Sequence, residues 1–92
     1  MLLHSETYRA LAQRALDLAR ALCGDRLVVV HEGGFSESAV PFCGHAVVEA
    51  LAGASFDVAD PFLELMRAWQ PNERHVALQR SMIDEMARSF GL

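Results

Sequence analysis

Ninety-two residues, with 12 acidic side chains against 8 basic ones, carry a net charge of −4, and 52% of them are hydrophobic. That length allows one domain, the absence of any basic run excludes a nucleic-acid surface, and no apolar stretch approaches the roughly 20 residues of a membrane span. A chain this short buries only about 60–65% of its unfolded surface, so part of its apolar content is expected to face something outside it.

Met1-Leu2-Leu3-His4-Ser5-Glu6 lacks the charged start and long apolar core of a signal peptide, which points to the cytoplasm. Ser5 reads as the cap of a first helix, with Glu6 at the positive end of its dipole. Tyr8, Leu11, Ala12, Ala15, Leu18, Ala19 and Leu22 recur at three- and four-residue spacing and form one apolar stripe. Gly24 marks the left-handed stop. The stripe is that of a helix laid on one face of a sheet.

Leu27-Val28-Val29-Val30-His31 then reads as a strand buried on both faces, because a short apolar run bounded by turn residues is the signature of one. Glu32-Gly33-Gly34-Phe35-Ser36-Glu37-Ser38 is the loop beyond its carboxyl end, where open α/β folds place their ligands. The two glycines give the backbone angles closed to other residues. No third glycine opens the next helix, so the loop is not a dinucleotide fingerprint.

A second helix is predicted from Ser38 or Ala39 to Ala52, with Pro41 in its first turn, where a missing N–H costs little. Only His45 and Glu49 are clearly polar along it, so it should be buried on most sides. After a connector at 54–59, Asp60-Pro61 starts a short third helix that runs to about Trp69. Asn72 caps the last helix, Glu73–Phe90, which aligns Val76, Ile83, Ala87 and Phe90 in one row. Trp69, Met66, Met82 and Met86 read as packing residues.

His31-Glu32-Gly33-Gly34-Phe35-Ser36-Glu37, followed by Val40-Pro41-Phe42-Cys43-Gly44-His45-Ala46-Val47-Val48-Glu49, resembles the last motif block of the zinc-dependent deacetylase family. Within it, the match is to the bacterial branch of histone deacetylase-like and acetylpolyamine amidohydrolases. The resemblance covers nearly all of this chain, and only about the C-terminal quarter of the family's catalytic domain. It implies an α/β fold: residues 1–92 would be one partial domain, the C-terminal helix–strand–helix–helix–helix portion of a three-layer αβα arginase/deacetylase-type fold. It implies hydrolysis of acetyl-lysine or acetylpolyamine-type amides by the complete domain, with this segment inactive alone. The alternative is a non-catalytic, oligomerising interaction module derived from that fold. One strand cannot satisfy its own edges, so the expected partner is the missing N-terminal part of the domain or a homo-oligomer completing the sheet.

The resemblance also implies a zinc ion for the complete domain, held by two aspartates and a histidine that all lie upstream of the matched region. No cofactor or metal ligand is therefore assigned in this chain. Cys43 and His45, two apart on a helix, point about 200° from each other and cannot share a metal. Cys23 and Cys43 have no disulfide-framework spacing and read as small buried thiols. The matched block ordinarily supplies one catalytic residue, a tyrosine after Gly-Gly whose hydroxyl donates to the developing oxyanion. Here the position is Phe35, which keeps the ring and loses the donor. His31, Glu32, Gly33 and Gly34 form the substrate-side loop, with His31 and Glu32 read as orienting it or, less simply, as an acid–base pair.

Overall fold

Helix ends in this chain are set by local chemistry, and the computed structural model, which describes residues 3–56 and 58–92, places them close to where the sequence predicts. The elements are α1 (Ser5–Cys23), α2 (Val40–Ala52), α3 (Leu63–Ala68) and α4 (Glu73–Ser89). α1 stops at Gly24, whose φ of +60° frees its N–H to bond the Ala19 carbonyl. Asp25 follows at φ +62°, a second left-handed residue that the sequence did not announce. Pro41 sits in the first turn of α2 and Gly53 ends it at φ +62°. The Asn72 side chain accepts the His75 N–H at 3.1 Å and caps α4.

Ser5 is not the cap. His4 takes that place with an extended backbone and no side-chain capping bond, and Ser5 is the first helical residue. Its hydroxyl instead donates to Asp60 Oδ2 at 2.6 Å. Asp60 Oδ1 in turn accepts the Phe62 N–H at 2.9 Å, so Pro61 and Phe62 form a turn and α3 begins at Leu63. A long-range partner outcompeted the local cap.

The expected α/β architecture is overturned: the described residues are helical and contain no strand. Leu27–His31 runs without helix, yet a strand exists only by bonding to a neighbour, and no described segment supplies one. From Leu27 to Phe35 no backbone N–H or carbonyl has a hydrogen-bond partner among the described residues. Val28 and Val30, read as buried on both faces, are 87% and 79% exposed. Of the short runs that could pair with Leu27–His31, 1–3 and 56–58, residues 1, 2 and 57 lie outside the described residues.

Among the described residues only α1 and α2 form an extensive helix–helix contact. Their buried residues are small or polar: Ser5, Ala12 and Ala19 at seven-residue spacing on α1, and Ala46 and Glu49 on α2. The predicted stripe is thus split. Ala12 and Ala19 turn inward, while Tyr8, Leu11, Leu18 and Leu22 form an exposed ridge along the neighbouring face. Trp69, Met82 and Met86, read as packing, are also exposed.

The dimensions agree. The radius of gyration is 15.7 Å, against about 12 Å for a compact chain of this length. The accessible surface is 7601 Å², where a folded monomer of 10.1 kDa exposes about 5,300 Å². The excess of about 2,300 Å² exceeds the roughly 800 Å² that one partner gives to an ordinary interface.

Candidate functional site

The loop that follows the apolar run is built on its two glycines, and they are glycines for different reasons. Gly33 has φ +75° and open space where a Cβ would stand, so backbone conformation alone requires it. Gly34 has φ +89°, and a Cβ there would meet His31 Nε2 at 2.9 Å and Val40 Cγ2 at 3.0 Å. The His31 imidazole and the first residue of α2 therefore close on the Gly34 backbone from the space a side chain would need. Two residues later Ser36 closes a turn into α2: its carbonyl accepts the Val40 N–H at 3.0 Å, and its Oγ accepts the Ala39 N–H at 3.3 Å.

Phe35 lies between these two fixed points and touches neither groove nor core. It is 98% exposed. His31, Glu32 and Gly34 do line a groove of about 460 Å³, with Val29, Val47 and Tyr8 among its other walls. The structure thus brings three of the five predicted loop residues to one cleft and leaves Gly33 and Phe35 outside it. Cys43 also lines that groove. Burial, then the nearby Asp60 carboxylate, pushes its thiol up, away from the thiolate form.

Sequence reading missed a second constellation on the other side of α2. Glu49 is 1% exposed and is paired with the Arg9 guanidinium of α1. It also accepts the Phe56 N–H of the connector, and His45 Nδ1 lies 3.6 Å from its Oε2. The His45 ring stands edge-on to Phe56 at 6.1 Å between centroids. The Phe56 N–H first, and then Arg9, hold the Glu49 carboxyl below the usual carboxylate range, against the opposing pull of burial. Nearby, Arg67 of α3 ties Glu6 of α1 to Glu64, the latter at 2.6 Å. The available signal was a lone acid on a helix otherwise apolar, which must find a partner when buried.

Neither constellation offers acid–base or nucleophilic chemistry by itself. Glu49 is fully committed to structural bonds, and Phe35 presents an exposed phenyl ring with no polar atom. Among the described residues no three His, Cys, Asp or Glu side chains gather to hold a metal ion. The side chains present do not fit the zinc implied by the resemblance, and the described helices include none long and apolar enough to cross a membrane.

Comparison with known proteins adds a clear likeness. No family model matches the chain. Over all 92 residues it is 47% identical to a histone deacetylase-like amidohydrolase of Pseudomonas aeruginosa. It spans 24% of that protein's length, about a quarter.

Proposed function

Because this chain belongs to the histone deacetylase-like amidohydrolase family, we propose that it supplies the C-terminal segment of an amide-hydrolysing domain and does not catalyse alone. The observation that carries this is the uncovered surface, about 2,300 Å² beyond that of a compact monomer. An excess of that size is what remains when a domain is divided, since obligate interfaces resemble a core cut in half. The segment's contribution would be the Gly33-Gly34 loop at the rim of a site whose zinc ligands come from outside this chain. Acetyl-lysine or acetylpolyamine-type amides are the substrate class.

Phe35 limits what the completed domain can do. A hydroxyl at this position would donate to the substrate oxygen as its charge develops, and a lost oxyanion donor costs ~10²–10³ in turnover. The test is a chimera in which this chain replaces its matched segment in the Pseudomonas relative. It should fold and hydrolyse an acetyl-amine substrate slowly. Phe35→Tyr should then raise kcat at least tenfold with little change in KM, because the donor acts on the transition state. A chimera that folds but gains nothing from Phe35→Tyr overturns the role assigned to this loop.

The same exposed face favours a second reading, a non-catalytic module that covers itself by self-association. Its mark is a defined dimer of the 92-residue chain at micromolar concentration, together with a chimera that stays inactive after Phe35→Tyr.

A further inference from the structure

Phe35 is directed by its neighbours and not by contacts of its own. Its ring is 98% exposed, while the residues on either side are held. His31 Nε2 and Val40 Cγ2 both occupy the side of Gly34 on which a Cβ would stand, and Ser36 is bonded to the start of α2. We infer that His31 is a positioning residue, whose ring acts as a wedge against Gly34 and sets the direction in which side chain 35 leaves the loop.

This deepens the amidohydrolase reading and rests on it for its kinetic consequence, while the wedge itself can be tested without any activity. Three observations carry it. His31 makes no hydrogen bond or ion pair among the described residues, so the bulk of its ring beside Gly34 is what it offers the loop. Gly34 is the one glycine whose Cβ would collide with a neighbour, and the nearest atom it would meet is His31 Nε2. Gly33 beside it has free space and a left-handed φ, so without a wedge the loop has a permissive pivot immediately before Gly34. A ring in that place excludes the alternative loop paths by bulk alone, and the imidazole's proton chemistry is not needed.

The wedge role and an acid–base role therefore separate by substitution. In the chimera carrying Phe35→Tyr, His31→Ala should lower kcat at least tenfold while KM stays within about twofold, since a misaimed donor is lost mainly to the transition state. His31→Phe restores a ring without a titrating nitrogen, and should bring kcat back to within about threefold with an unaltered pH profile. Failure of His31→Phe to rescue, with one limb of the pH profile gone, would replace the wedge by acid–base catalysis.

The 92-residue chain gives an independent reading through cleavage by chymotrypsin after Phe35, its most exposed aromatic residue. His31→Ala should raise that cleavage rate several-fold and His31→Phe should return it to the parent value, with helix content unchanged in both. Equal rates in all three proteins would overturn the inference whatever the chimera does. A cleavage difference combined with an inactive chimera would uphold the wedge and sink the amidohydrolase reading alone.

Discussion

Around Glu49 the chain closes on itself, while between Leu27 and Phe35 it stays open, although α2 borders both regions. In the closed corner a carboxylate draws in Arg9 and the Phe56 N–H and is left 1% exposed. In the open one, nine consecutive residues bond to nothing described and three valines stand in solvent. Usual burial is inverted here, with polar and small groups inside and large apolar ones outside. Polar groups with directional partners organise locally, because each bond needs one matching atom. Apolar surface needs area, and 92 residues do not provide enough of it.

The sharpest way to break this contrast is Glu49→Ala. It removes the acceptor shared by α1, α2 and the connector and leaves the Phe56 N–H and the half-exposed Arg9 guanidinium without it. It should lower the urea midpoint more than any other single substitution in the chain, and an unmoved midpoint would mean the corner does not organise the fold. Acid should do the same in graded form. The folded carboxyl titrates below its unfolded value of about 4.3 because Phe56 and Arg9 favour the charged form. Its contribution is therefore complete above that value and is lost as pH falls through the lower folded one. Urea midpoints measured from pH 6 down to pH 3 should hold steady and then drop below about pH 4, a drop that Glu49→Gln abolishes.

A smaller effect is expected at Ala46, which is buried where α1 and α2 meet. Ala46→Leu overpacks that contact and should cost ~1–3 kcal/mol. Smallest of all is the open side: Leu22→Glu and Val28→Thr should stay within about 0.5 kcal/mol, since both residues are already solvated. A large loss at either would show that the apolar face is covered in solution.

Punctuation was the legible part of the sequence. Gly24, Pro41, Gly53 and Asn72 each act within a few residues of their own position, so α1, α2 and α4 end near where they should. Ser5 has the composition of a cap, but its partner, Asp60, is 55 positions away. Leu27–His31 has strand composition, and composition records what a segment is suited to bury against, not whether that surface is present. Glu49 showed as a polar break in an apolar helix, but nothing in the spacing pointed to Arg9, 40 residues earlier. For the loop, Gly33 and Gly34 announced their backbone angles, whereas the place of the His31 ring beside Gly34 required the folded geometry.

The surplus surface also bears on how the molecule responds to temperature. An unfolded chain of 10.1 kDa exposes about 14,600 Å², so folding to 7601 Å² removes about 7,000 Å² from water where a compact monomer would remove about 9,300 Å². The heat capacity of unfolding scales with that change, and here it falls to about three quarters of the usual value. Its curve of stability against temperature is therefore flat and its melting broad, with cold and heat acting almost symmetrically about a shallow maximum. A partner that covered the open face would restore the missing quarter of that heat capacity, so a large negative heat-capacity change on association is the calorimetric signature expected of it.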